Sequence, residues 1–277
     1  MNQMTMNQMN VAAVIQMTSS ADLQDNLQVA YRLLQQAAQR GAQLAVLPEN
    51  FTLMGMHERD KLAIAEADGD GPIQTWLANT ARELGLWIVA GTISLKIPAE
   101  SRVAAACLVV NAQGERIARY DKIHLFDVEV DDATGSYRES ATFAPGQRCV
   151  VLDTPIGKLG LAICYDIRFP ELFRQLSVLG AEVLVLPAAF TVPTGRAHWD
   201  VLLRARAIEN LCYLLAAGQT GLHANGRETY GHSMIIDPWG EVQASLVNEV
   251  GLQVGSIDLD KQRAQRRKFP ALAHRRL

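Results

Sequence analysis

Cysteine is scarce in this chain. Cys107, Cys149, Cys164 and Cys212 are the only four among 277 residues, no two form a Cys-x-x-Cys pair, and none has a histidine at zinc-ligand spacing. No structural metal centre is expected, and four thiols in so long a chain make a poor disulfide framework, so the expected compartment is the reducing cytoplasm. Long apolar runs are lacking too. The run Val11 to Ile15 is far shorter than a bilayer span, and the opening Met-Asn-Gln-Met-Thr-Met-Asn-Gln-Met-Asn has no cationic region of a targeting signal. These first residues, 1–10, are expected to be a poorly ordered leader. Excess charge is also missing: 26 Lys and Arg stand against 29 Asp and Glu, a formal net charge of −3, which gives no field for nucleic acid or an anionic membrane. The one basic concentration, Arg263, Arg266, Arg267, Lys268, Arg275 and Arg276, reads as a solvated or subunit-contacting tail. No phosphate-cradle or metal-ligand spacing calls for a cofactor.

What is present is material for a core. The 49% hydrophobic content is ample, and a chain of this length buries roughly three quarters of the surface its unfolded form exposes. Short runs of Val, Ile and Leu alternate with amphipathic stretches of helix length, which predicts an α/β or α+β fold. Val11 to Met17 reads as a first strand. Asp22 to Arg40, with Leu23, Leu27, Ala30, Leu33, Leu34 and Ala37 at helical spacing, reads as a helix closed by Gly41. A strand at Leu44 to Leu47 stops at Pro48, and a helix over Ile73 to Leu84 stops at Gly85. Further strands are predicted at Trp87 to Ile93, Val103 to Asn111 and Arg116 to Tyr120.

No low-complexity linker divides the chain, but the chain echoes itself. Gly41 to Phe51 aligns with Gly180 to Phe190, sharing Gly, Ala, Val, Leu, Pro and Phe in register, and Val109 to Ala118 aligns with Ile235 to Ala244. The order is the same and the offsets are similar, which points to two related halves, each a sheet covered by helices. Two such sheets would pack face to face, with a site where the halves meet.

Cys164 closes the apolar strand Gly160 to Ile163 and precedes Pro170, a residue suited to start a helix. A cysteine on such a turn can project its sulfur where backbone N–H groups favour a thiolate; it can equally be a small buried hydrophobe, the reading that fits Cys107 and Cys212 within their apolar runs. A nucleophilic thiol needs a base. None of the six histidines announces that role, whereas Glu49 stands directly after a buried strand and a proline, where the echo has Ala188. Lys122, after another strand end, can stabilise an oxyanion or be an ordinary surface charge. Glu139, in Tyr137-Arg138-Glu139-Ser140, is uninformative alone.

Taken together, Leu47-Pro48-Glu49-Asn50-Phe51, Asp121-Lys122-Ile123-His124-Leu125-Phe126 and Cys164-Tyr165-Asp166-Ile167-Arg168-Phe169-Pro170-Glu171-Leu172 resemble the three catalytic motifs of the nitrilase superfamily of carbon–nitrogen hydrolases. The resemblance runs from Val11 over nearly the whole chain. It implies one domain over residues 11–277 with a four-layer α-β-β-α sandwich, pairing into a homodimer, and a small-molecule amide substrate. It makes Glu49 the general base, Lys122 the oxyanion stabiliser, Cys164 the nucleophile and Glu139 the glutamate that positions lysine and substrate.

Tyr165-Asp166 in place of Trp-Glu after the cysteine favours the amidase branches. Phe126 to Val130, Arg138-Glu139-Ser140, Ala197-His198-Trp199, Leu203 to Glu209 and Tyr230-Gly231-His232-Ser233-Met234 resemble the Nit amidases. That branch implies hydrolysis of the γ-amide of deaminated glutathione, with 2-oxoglutaramate, the ω-amidase substrate, as the alternative; a non-catalytic binding scaffold is the reading from another class. Tyr165, Arg168 and Thr194 are the expected substrate contacts, Arg168 through the oxo-acid carboxylate, unless it forms a structural pair with Glu171. One departure stands out: Gly195 is followed by Arg196 where the branch has proline, which could alter the entry to the following helix.

Overall fold

From Ala12 onward every residue of the first strand, β1 (Asn10–Gln16), is buried, so both of its faces are covered. Ala12 and Val14 join one apolar core and Ala13 and Ile15 another, the alternation a strand imposes. The computed structural model describes residues 10–276; of the expected leader, residues 1–9 lie outside the described residues, and Asn10 already belongs to β1.

After β1 come β2 (Leu44–Val46), β3 (Trp87–Val89), β4 (Ile93–Lys96), β5 (Val103–Val110) and β6 (Arg116–Asp121). A small hairpin, β7 (Asp127–Glu129) and β8 (Ser136–Arg138), leads to β9 (Val151–Thr154), β10 (Gly157–Leu161), β11 (Val183–Ala188) and β12 (Tyr213–Gly218). A second hairpin, β13 (Thr220–Leu222) and β14 (Glu228–Tyr230), precedes β15 (Met234–Ile236), β16 (Val242–Ser245) and β17 (Gly251–Ile257). Helices α1 (Leu23–Gln39), the single turn α2 (Asp60–Ala63), α3 (Pro72–Leu84), α4 (Pro170–Val178), α5 (Val192–Asn210) and α6 (Leu259–Lys268) connect them. Among the described residues no helix is long and apolar enough to cross a membrane.

The predicted strand Trp87 to Ile93 is broken into β3 and β4. Val89 and Ala118 both pair with Val109, and Ile93 and Asp121 both pair with Ala106, so β3 and β4 lie on the same side of β5, opposite β6. The break is the corner at Gly91, whose φ is +43°. With β3 and β4 counted as one bent strand, the first sheet runs β17, β1, β2, β3/β4, β5, β6, and the second runs β9, β10, β11, β12, β15, β16. Orientation matches position by position, with a parallel triplet at β1-β2-β3 and at β10-β11-β12 flanked by antiparallel neighbours. Both echoes in the sequence fall on equivalent elements, β2 with β11 and the β5–β6 turn with the β15–β16 turn.

The sheets pack face to face. One core joins Val14, Val46 and Val109 of the first sheet to residues of the second, and extends through it to Leu172, Phe173, Trp199 and Leu203 of α4 and α5. The other core lies between the outer face of the first sheet and Leu27, Leu34, Ile73 and Leu77 of α1 and α3. This is the α-β-β-α sandwich. Helix boundaries follow local chemistry: Asp22 accepts from Asp25 N at 2.9 Å to cap α1, Pro72 opens α3, and Gly85, with φ 62°, closes it. Helix α5 begins at Val192 with Pro193 in its first turn, so Arg196 lies inside the helix and does not shape its entry. Of the basic C-terminal stretch, Arg266 Nε donates to Leu211 O at 3.0 Å and Arg263 Nη2 lies 2.8 Å from Glu182 Oε1, while Arg267, Lys268, Arg275 and Arg276 are exposed.

A side chain at residue 91 has no room, because a Cβ there would sit 1.9 Å from Pro48 O, in the peptide that leads to Glu49. Gly91→Ala is expected to destabilise the protein by about 2 kcal/mol or more, combining backbone strain with displacement of the Pro48 segment. Urea unfolding of variant and parent checks this; equal midpoints would show that the corner relaxes freely.

Candidate active site

Two parallel strands of each sheet end at the same edge of the sandwich, and chain segments leaving them meet there. Beyond β2, Pro48 stops the ladder and Glu49 and Asn50 turn away, Asn50 with φ 58°. Asn50 N donates to Thr92 Oγ1 at 2.8 Å, and Glu49 O accepts from Gln219 Nε2 at 3.0 Å, so the Glu49 backbone is pinned from both sheets. Lys122 follows β6; its N–H donates to Ala105 O and its carbonyl accepts from Gly146 N.

The side chains form one connected cluster. Lys122 Nζ donates to Glu49 Oε1 at 2.8 Å and to Glu139 Oε1 and Oε2 at 2.9 and 2.8 Å. Glu139 Oε2 also accepts from Phe126 N at 2.6 Å. The other Glu49 oxygen accepts from Ala189 N at 2.8 Å, a backbone group just beyond β11 in the second sheet. Glu49 and the Ala189 N–H both act on the Cys164 thiol, the carboxylate raising its pKa and the N–H lowering it. Lys122 is only 2% exposed and Cys164 7%.

Cys164 opens a 3₁₀ turn, Cys164–Arg168, with a φ of +45°. A non-glycine residue in that region is held there by its surroundings. Here the holder is the fully buried Asp166, which accepts from Ile163 N at 2.8 Å, Tyr120 Oη at 2.7 Å and His124 N at 3.1 Å and lies 2.7 Å from His124 Nδ1. His124 stacks on Phe169 with ring centroids 3.6 Å apart.

Charge is unevenly distributed. Burial would raise the Glu49 carboxyl, but the charge and hydrogen bond of Lys122 outweigh it and hold Glu49 below the usual carboxylate range. Glu139 goes the other way: burial and the neighbouring Glu49 charge raise it despite Lys122. Burial opposes the Lys122 ammonium, yet the two carboxylates raise it well above an ordinary lysine. The Cys164 thiol is pushed far up by burial and then by the Glu49 charge, so at neutral pH it is a thiol beside an ionised carboxylate.

These groups line a cavity of about 310 Å³. Of the expected substrate contacts, Tyr165 and Thr194 line it. Arg168 is not among the residues that line it. Its guanidinium lies 5.8 Å from the Tyr165 ring centre and 5.4 Å from that of Phe190, with Nη1 3.3 Å from His198 Nδ1, and it makes no pair with Glu171. The cause is the 3₁₀ turn, whose residues i and i+3 eclipse, so Arg168 stacks above Tyr165. The sequence reading missed Arg227, Lys61, Glu58 and Tyr137 in the cavity wall. Of these, only Arg227 lies beside a recognisable signal, the turn pair Asn225-Gly226, which predicts a hairpin tip and says nothing of where it reaches. Among the described residues no group of three or more His, Cys, Asp or Glu side chains could hold a metal ion.

A four-layer sandwich with a buried Glu-Lys-Glu cluster against a strained cysteine defines an enzyme class, and the sequence agrees: residues 11–269 match the carbon-nitrogen hydrolase family, to which this chain belongs. It is 45% identical over 268 residues to the deaminated glutathione amidase of Synechocystis sp., covering 96% of this chain and 97% of that protein. The crystal structure of the C. elegans NitFhit protein superposes with a TM-score of 0.90 at 39% identity, over 96% of this chain and 65% of that one. Saccharomyces cerevisiae Nit3, a member of branch 10 of the nitrilase superfamily, superposes with a TM-score of 0.87 at 29% identity over 98% and 97% of the two chains.

Removing the ammonium leaves two buried carboxylates facing each other. Lys122→Met is expected to destabilise the protein by about 3–5 kcal/mol at pH 8. Both carboxyls would then titrate above their unfolded values, so the folded variant binds more protons than the unfolded one and its stability falls as pH rises. The deficit should therefore shrink toward pH 5, as read by urea unfolding at both pH values; a pH-independent deficit would mean that the carboxylates are solvated.

Proposed function

We propose that this protein is an amidase that cleaves the γ-amide of deaminated glutathione to 2-oxoglutarate and cysteinylglycine through a thioester on Cys164. The observation that carries the chemistry is the ionised Glu49 acting on the Cys164 thiol in one cavity wall while Lys122 bridges it to Glu139. The choice of substrate is supported by the near full-length relative named for that activity.

In this mechanism Glu49 accepts the thiol proton as the sulfur attacks the amide carbonyl carbon. Proton transfer at rest is uphill, since burial raises the thiol and Lys122 lowers the acid. It becomes favourable as negative charge moves from sulfur to the carbonyl oxygen, where Lys122 Nζ and the backbone N–H of Tyr165 receive it. Glu139 holds Lys122 and, by taking up a proton more readily than Glu49, leaves Glu49 as the working base. Collapse of the tetrahedral adduct breaks the C–N bond, and Glu49 delivers its proton to the departing amine. Glu49 then activates water to hydrolyse the thioester and restore the thiol. Tyr165 and Thr194 contact the acyl portion, and Arg168 acts through the Tyr165 and Phe190 rings that it covers.

We also propose that the protein works in the cytoplasm, as a homodimer formed through α4 and α5. Val178 and Leu179 at the end of α4, and Val201 and Ile208 on α5, are exposed apolar side chains on two helices that pack together. Val201→Glu combined with Ile208→Glu is expected to convert a dimer to a monomer in light scattering; an unchanged mass would move the interface elsewhere.

The test of function is kcat/KM for deaminated glutathione against 2-oxoglutaramate, together with mass spectrometry after rapid acid quench. An acyl adduct on Cys164 that is absent from Cys164→Ala, with deaminated glutathione preferred, is the expected result. Preference for 2-oxoglutaramate would make the protein an ω-amidase. No adduct and no turnover across an amide panel would favour a binding scaffold.

A further inference from the structure

The cavity wall carries four cationic and three carboxylate side chains. Three of the cations are paired: Lys122 with Glu49 and Glu139, Lys61 with Glu58 at 2.5 Å, and Arg138 with Glu129 at 3.5 Å. Arg227 has no carboxylate partner within ion-pair distance among the described residues, and its Nε is buried with no hydrogen-bond partner. It is nevertheless held in place. Nη2 donates to Ala189 O at 2.5 Å, and the guanidinium lies 5.1 Å from the Tyr137 ring centre, so its plane is fixed by a carbonyl and an aromatic face. The residue enters from the surface, on the hairpin tip whose neighbours Ala224, Gly226 and Glu228 are exposed. Asn225 Nδ2 ties that tip to Gly55 O at 2.8 Å. Arg227 is thus a positioned cation on the solvent side of the cavity that feels the Glu49 and Glu58 charges but forms no direct ion pair, and it has a free buried N–H.

Resting on the proposed amidase reaction, we infer that Arg227 is a specificity residue that binds a carboxylate on the leaving-amine portion of the substrate. The departing amine must leave toward solvent, past the hairpin, whereas the acyl portion stays against Cys164. A carboxylate at the far end of a leaving dipeptide can accept from the unpaired Nε–H and a remaining guanidinium N–H, a two-point contact that an ammonia leaving group cannot make. Arg227 therefore favours amides whose leaving peptide ends in a free carboxylate over primary amides of the same oxo-acid.

The test uses the full-length protein and three amides with one acyl group: deaminated glutathione, its C-terminally amidated analogue, and 2-oxoglutaramate. Arg227→Gln is expected to lower kcat/KM for deaminated glutathione by roughly 10- to 100-fold, mostly through KM, with no more than a few-fold loss on the other two. Arg227→Lys, which keeps the charge and loses the fork, should fall between parent and Gln variant, and thermal unfolding of both variants checks that they fold. The parent itself should prefer deaminated glutathione to its amidated analogue by a similar factor. Equal losses on all three substrates, or no loss on any, would overturn the assignment while leaving the amidase reading intact. A parent that turns over none of the three overturns that reading, and this inference with it.

Discussion

A single ammonium group buried between two carboxylates holds the site together. Lys122 connects Glu49, which leaves β2, to Glu139, which follows the β7–β8 hairpin, and the second Glu49 oxygen is bound by Ala189 N from the other sheet. Burying three ionisable groups is unfavourable unless each is paired, and here every one is. The pairing also breaks the equivalence of the two glutamates, lowering one and raising the other. Two copies of one residue type thus differ in proton affinity through their environment alone.

Why the site lies where it does follows from the duplicated topology. Each sheet offers the ends of a parallel triplet, the place where side chains can leave a sheet without disturbing its ladder, and face-to-face packing brings the two sets of ends together. The equivalent positions have diverged: Glu49 carries a carboxylate, while the segment after β11 offers only a backbone N–H, which binds that carboxylate. One half contributes the charged groups; the other contributes the sulfur, from the turn after β10, and a hydrogen-bond donor.

Much of this was legible in the sequence, for identifiable reasons. Glu49 and Cys164 each follow a buried strand, so apolar runs with abrupt polar ends marked them; Lys122, after the largely uncovered β6, was marked by its motif, and the order of the three motifs marked the family. The helices Leu23–Gln39 and Pro72–Leu84 announced themselves through period and caps. The strand over Trp87 to Ile93 was read as continuous because its composition is; the bend at Gly91 depends on what crosses it, namely Pro48 O, and no local pattern records that. The placement of Arg168 over the Tyr165 and Phe190 rings follows from the 3₁₀ turn, which motif spacing does not announce. Arg227 was invisible because its role comes from the missing carboxylate partner, a property of the assembled cavity alone.

The first strand of the chain pairs with the last. β1 lies between β2 and β17, in register from Asn10 against Ile257 to Gln16 against Gly251. Matching topology would suggest two halves that fold one after the other, yet the first sheet cannot be completed until the whole second sheet has been made. All four reactive side chains are present in the growing chain well before that point. Until β17 arrives, β1 presents an unpaired edge, an invitation to pair with other chains. For this architecture, then, the hazard of synthesis lies in β1, and the strand that protects it follows about 240 residues later.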